Sequence, residues 1–231
     1  MDQTALIQHY TQMWAYARHN FLQGKTQNDP LLDDPRDDRY GITLLLRPDE
    51  ATANKIHQFL QHMAVLEPDQ YYYPLSDQHL TILSIISCYP GFNLNQIELN
   101  AYDAKIKEAL QEIPPINIHF KGITASPSTV LVQGFPKDDF LQKLRDQLRH
   151  IFKGSSLQHS IDSRYRLFTA HSTVIRFRKP LKNPEAFANQ LEKYRETDFG
   201  LVKAKQIELA GNDWYQRKEN VKILKTYTLA P

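Results

Sequence analysis

Apolar residues recur at helical intervals along residues 2–22, at Leu6, Tyr10, Met13, Trp14, Ala17 and Phe21, which predicts an amphipathic helix that must dock on something. Over residues 24–39 the period is lost, and Gly24, Pro30, Pro35 and the pairs Asp33-Asp34 and Asp37-Asp38 predict an irregular connector. Residues 40–46 form an uncharged run that reads as a central strand. Arg47-Pro-Asp-Glu50 then starts a helix, with Asp49 as N-cap and Ile56, Phe59, Leu60 and Met63 on its buried face. The polar, aromatic loop Gln70-Tyr-Tyr-Tyr-Pro74 leads to a strand over 77–85. A helix is predicted over 94–112, ended by Pro114-Pro115, then a strand over 116–120, a turn at Ser126-Pro127-Ser128 and a hairpin partner over 129–134. Asp138 or Asp139 caps a helix that Gly154 breaks, and the loop Ser160–Phe168 enters a strand over 169–177. Pro184 opens another helix, and the tail reads as strands over 200–210 and 221–229 joined by the loop 211–220.

Two of these strands share a local pattern, His-x-Thr followed by an apolar run: His79-Leu-Thr-Ile82 and His171-Ser-Thr-Val174. Side chains two apart on a strand project to one face, so His79 stands beside Thr81 and His171 beside Thr173. His9-Tyr10-Thr11 has the same spacing, but on a helix positions two apart diverge by roughly 200°, so it presents no joint surface. With nine His and 13 Thr, chance supplies about 0.5 such matches. The two strand-borne copies stand out because each follows an amphipathic helix and opens an apolar strand. Their separation of 92 residues suits two copies of one α/β unit in a single domain.

Hydrophobic content of 41% and charged content of 23% are those of a globular chain. No apolar run is long enough to span a bilayer, no secretory leader is visible, and the single cysteine, Cys88, allows no intrachain disulfide. Together these predict a cytoplasmic protein, with Cys88 a buried structural thiol. Charge is uneven. Residues 1–115 carry eight Lys/Arg against 15 Asp/Glu, residues 116–231 carry 20 against 11, and the basic half would attract an anionic substrate. Low glycine content and the absence of a phosphate-cradling glycine loop, of Cys-x-x-Cys and of His-Glu-x-x-His exclude the commonest nucleotide and zinc motifs.

Further candidates flank the two motifs. Tyr73, in the approach to the first, is placed to sandwich a base or to cover the core edge. Arg164, Arg166 and Phe168 lie in the approach to the second, the arginines in reach of a phosphate or base edge. Trp214 and Tyr215 either close over a ligand or pack on the domain edge. His119 shares a polar strand face with Asn117 and reads as structural.

From about residue 40 onward, the motifs and the order of elements resemble the two-histidine (2H) phosphoesterase superfamily, which includes RNA 2′,3′-cyclic phosphodiesterases and 2′-5′ RNA ligases. The resemblance implies an α+β, bilobal, pseudo-twofold fold with antiparallel sheets flanked by helices and one motif per lobe. To this the chain adds an N-terminal helix and connector, 1–39, docked on a single domain, 40–231. It also implies a metal-independent phosphodiesterase without cofactor, acting on a 2′,3′-cyclic or 2′-5′ phosphodiester in RNA, an oligonucleotide or a small nucleotide. His79 and His171 would be general base and general acid in an order left open, and Thr81 and Thr173 would donate to the non-bridging oxygens. Two alternatives compete: a nucleotide or RNA-end binding module using the same cleft without turnover, and a metal-dependent hydrolase recruiting Asp77 beside His79. No membrane or obligate protein partner is expected.

Overall fold

The computed structural model describes residues 3–229, over which the chain forms five α-helices and nine strands. They are α1 (Gln3–Leu22), β1 (Tyr40–Leu46), α2 (Glu50–Leu66), β2 (Tyr71–Tyr72), β3 (Leu80–Tyr89), α3 (Leu99–Leu110), β4 (Ile116–Ser126), β5 (Thr129–Pro136), α4 (Phe140–Lys153), β6 (Ala170–Arg176), α5 (Pro184–Glu192), β7 (Asp198–Ala204), β8 (Gln206–Asp213) and β9 (Lys222–Thr228). Asp49 caps α2 as its sequence predicts, its carboxylate accepting from the Thr52 amide at 2.8 Å.

The strands form two sheets, ordered β3-β1-β8-β9 and β2-β6-β5-β4-β7, with every pairing antiparallel. Two strand–helix–strand units, β1-α2-β3 and β5-α4-β6, hold equivalent places. In each, the last strand returns beside the first and carries the His-x-Thr motif. β8 and β9 flank the first unit as β4 and β7 flank the second, which gives the pseudo-twofold plan, and β2 is an added edge. The helices cross over. α2 leaves the four-stranded sheet yet packs on β6 and β7, whereas α4 leaves the five-stranded sheet and packs on β3. Leu44, Ile82, Val132, Val174 and the helix residues Phe59 and Leu148 join one continuous hydrophobic core, which also takes in Trp14, Ala17 and Phe21 of α1.

Several elements differ from the sequence expectation, among them the loop 70–74, where Tyr71 and Tyr72 pair with β6 as β2, and the strand from 116, which runs on to Ser126. The helix predicted over 94–112 is a 3-10 turn, Leu94–Gln96, followed by α3, because Ile97 and Glu98 are extended or irregular and Leu94 and Ile97 pack as loop residues. The strand predicted over 200–210 is two strands in different sheets, β7 and β8, separated at Lys205. Lys205 and Gln206 are both exposed, a slip in the alternation that lets the chain leave one sheet and join the other.

Candidate active site

His79 lies immediately before β3, and His171 is the second residue of β6. β3 and β6 come together where the two sheets meet, and both motifs line one cleft of about 200 Å³ with Thr81, Thr173, Ser84, Ser87, Arg176 and Trp214. Strict alternation does not produce this lining. The register between β1 and β3 slips between Ile42 and Thr43 and again between Leu44 and Leu45. Each slip leaves one extra residue on β3, so Thr81, Ser84 and Ser87 share the half-buried face at intervals of three. In β6 the register slips once, between Val130 and Leu131 of its partner strand. That slip reverses the phase after Thr173 and brings Arg176 onto the face of His171 and Thr173.

The imidazoles are held differently. His79 Nδ1 lies 2.7 Å from the Asp77 carbonyl oxygen, which can only accept, so Nδ1 carries a proton and the neutral ring keeps a lone pair on Nε2. His171 Nδ1 lies 2.8 Å from the Thr169 hydroxyl, which can donate or accept, so both tautomers are open to this ring. Burial lowers the pKa of each to about 4. Arg145 and His79 add to the effect at His171; at His79 the Asp77 hydrogen bond opposes it, while Arg47 and Arg176 add to it.

Arg145 of α4, 1% exposed, ties the two motifs together. Its Nε donates to the Ile82 carbonyl at 2.8 Å, and its Nη2 donates to the Thr81 and Thr169 carbonyls at 2.9 Å each. One guanidinium therefore spans the junction of the lobes and satisfies two carbonyls of β3 and the Thr169 carbonyl just before β6. Burial lowers its pKa to about 10, so it is still a cation at neutral pH.

The cleft wall is rich in arginine. Trp214 is clasped by Arg39 and Arg164, whose guanidinium carbons lie 4.9 and 4.5 Å from its ring centroid. Arg176 donates to the Tyr73 hydroxyl at 2.9 Å and faces Asp29 at 3.6 Å. Of the residues named from sequence, His79, Thr81, His171, Thr173, Tyr73, Arg164 and Trp214 line the cleft. Tyr73 is too buried, at 2% exposure, to offer a stacking face, and its hydroxyl holds Arg176 instead. Arg166, Phe168 and Tyr215 fall outside. Arg166 pairs with Asp146 at 3.1 Å, Phe168 packs edge-on against His9 with ring centroids 4.7 Å apart, and Tyr215 is buried with its hydroxyl accepting from Arg39. A run of charged and aromatic residues does not show which of its members turn toward a cleft.

Arg176, Ser84, Ser87 and Tyr165 line the cleft without having been singled out in the sequence. The slips in register hid the two serines, and Arg176 carried only the weak signal of a lone cation ending an apolar strand. Cys88 is buried and its thiol is pushed up to about 12 by burial, so it stays protonated. The acidic connector is engaged by arginines and backbone: Asp34 pairs with Arg36, Asp37 with Arg39 and Asp33 with Arg178, and Asp38 accepts from the Gly91 amide. Asp77 is likewise turned inward, where it accepts from the Ser76 hydroxyl and the Lys218 amide. His119 pairs with Asp198 at 3.0 Å, remote from the cleft lining. Among the described residues no cluster of three or more His, Cys, Asp or Glu is spaced to hold a metal ion, and no helix is long and apolar enough to cross a membrane.

A sequence profile described as "AKAP7 2'5' RNA ligase-like domain" matches residues 42–227. Among solved structures, TT0787 of Thermus thermophilus superposes with a TM-score of 0.58 at 12% identity, over 82% of this chain and 97% of that one. ATU0111 from Agrobacterium tumefaciens, a conserved protein of unknown function, gives 0.56 at 16% identity over 89% and 96%. LigT of E. coli complexed with 3'-AMP gives 0.51 at 12% identity over 84% and 99%. At these identities the likeness is one of fold. No curated protein matches.

Proposed function

Because the chain belongs to the AKAP7 2'5' RNA ligase-like domain family, within the two-histidine phosphoesterases, we propose that it is a metal-independent phosphodiesterase for a 2′,3′-cyclic or 2′-5′ phosphodiester in RNA, an oligonucleotide or a small nucleotide. The observation that carries this reading is the convergence of two His-x-Thr pairs, one from each lobe, on a single cleft that also holds Arg176. LigT, which shares the fold, has been crystallised with 3'-AMP and with NADP+, so a protein of this fold binds nucleotides.

In the proposed reaction, His79, with its proton fixed on Nδ1, uses the bare Nε2 to take a proton from water or a sugar hydroxyl. The oxygen so activated bonds to phosphorus, the bond from phosphorus to the ester oxygen breaks, and His171 protonates that leaving oxygen. Thr81 and Thr173 donate to the non-bridging oxygens, and Arg176 balances the charge that grows there. A phosphate anion beside His171 favours its protonated form, which offsets the lowering caused by burial and charges the acid only once substrate is bound, while His79 stays neutral to act as base.

Incubation with 2′,3′-cyclic nucleotides and 2′-5′ dinucleotides in the presence of a chelator tests this reading. Product release by the native chain is expected, with His79→Ala and His171→Ala each lowering turnover by roughly 10²–10⁴. Equal turnover by the native chain and both variants would overturn it. A second reading, a nucleotide-binding module without turnover, rests on the low basicity of both rings, and saturable binding with no product under the same conditions would establish it.

A further inference from the structure

The His-x-Thr spacing at His9-Tyr10-Thr11 is not a motif, yet one side chain of the helix that carries it reaches the strand of the second motif. α1 falls outside the matched residues 42–227 and packs on β4, β5 and α5. Tyr10 is 1% exposed, and its hydroxyl donates to the Ala170 carbonyl at 3.0 Å, with the Gly134 carbonyl at 3.4 Å. Ala170 and Gly134 are register partners, and Ala170 immediately precedes His171. A side chain at position 134 would collide with the Ala170 carbonyl, so the backbone there is closely fitted on both sides. Tyr10 is itself located by its own carbonyl, which accepts from the buried Thr124 hydroxyl at 2.8 Å. Burial pushes the Tyr10 hydroxyl up, so it remains a donor throughout the working pH range.

The connector grips the other end of the same strand. The Asp29 amide donates to the Phe177 carbonyl at 2.9 Å, and the Asp29 carboxylate faces the Arg176 guanidinium at 3.6 Å. Strand β6, with His171, Thr173 and Arg176, is thus held at both ends by the N-terminal segment. β3, which carries Thr81 of the first motif, is an edge strand paired only with β1.

We propose that the segment 3–39 is a positioning element of the active site, with Tyr10 setting His171 and Asp29 setting Arg176. The inference rests on the cleft being the reactive site, but its test does not need turnover. The groups that face His171 are Arg145 from α4, His79 from the first motif, His9 from α1 and the Thr169 hydroxyl. Loss of the Tyr10 hydroxyl alone lets the Ala170–His171 backbone shift against that fixed set, and displacements of about 1 Å in a catalytic group cost up to roughly a hundredfold in rate.

The experiment is carried out on the full chain, with Tyr10→Phe and Asp29→Asn beside the native protein, because removal of the whole segment exposes core and can prevent folding. NMR titration of the imidazole resonances is the first readout. In Tyr10→Phe the His171 titration moves and that of His79 does not. Where substrate is turned over, Tyr10→Phe lowers kcat about tenfold with KM nearly unchanged, and Asp29→Asn raises KM through Arg176. A Tyr10→Phe protein that melts lower but keeps native His171 titration and kcat shows a merely structural helix and overturns the proposal. If no cyclic or 2′-5′ substrate reacts but the His171 titration still moves selectively, the proposed reaction fails while the positioning role stands.

Discussion

β3 and β6 occupy equivalent places in two related units, but the sequence has furnished them differently. β3 is an edge strand whose slips in register display three hydroxyl groups, Thr81, Ser84 and Ser87. β6 is paired on both sides, slips once and displays an imidazole, a hydroxyl and a guanidinium. His79 is anchored by a carbonyl that fixes its tautomer; His171 faces a hydroxyl that leaves the tautomer free. Backbone pseudo-symmetry thus places two like rings in one cleft, and the details of pairing and capping set the two apart.

The strongest challenge to this division is to remove both rings. If the lobes act as one unit, the His79→Ala/His171→Ala double variant loses little more than the worse single variant, because groups that act together are far from additive. Product-release rates that multiply, so that the double variant shows the product of the single losses, would mean that the lobes act independently.

Cutting the tie between lobes comes next. Arg145→Met removes the donor to two buried carbonyls and one half-buried one and should cost about 3 kcal/mol, read as a lower denaturation midpoint, with reduced turnover. Native stability in that variant would show that the carbonyls find other partners.

Acid offers a milder probe of both lobes at once. Each imidazole has a folded pKa of about 4, below the ordinary value near 6.5, so the unfolded chain binds more protons between those limits. Stability is therefore expected to fall as pH drops from about 6.5 toward 4, by at most roughly 1.4 kcal/mol per pH unit per ring. Urea midpoints across that range should fall less in His79→Gln or His171→Gln; a slope identical to the native one would place the protonation elsewhere.

The smallest expected change separates the two anchors. Thr169→Val removes the hydroxyl at His171 and leaves the Asp77 carbonyl at His79 untouched, so turnover should fall by up to about tenfold with only the His171 titration displaced. A shift at both rings would reveal coupling that bypasses the hydroxyl.

Much of this arrangement is legible in the chain. The strand period around His79 and His171 revealed both pairs, the Asp49 cap and the apolar face of α2 were visible, and the helix over the first residues stood out. Slips in register were not visible, because Ile82, Ile85 and Val174 fit a strand with or without an extra residue. Burial of Arg145 and Arg149 within a helix that otherwise reads as amphipathic could not be foreseen, since a charged residue at helical spacing ordinarily faces solvent. The roles of Arg166, Phe168 and Tyr215 depended on which way a loop turns, and adjacent residues in a loop carry no periodic signal.

The exchange of helices between sheets has a further effect. With α2 seated on β6 and β7, and α4 on β3, each half of the chain carries a helix whose apolar face is covered by the other half. A chain severed between β4 and β5 should yield fragments that aggregate apart and recover only when mixed, because each fragment carries the helix that covers the other's motif strand.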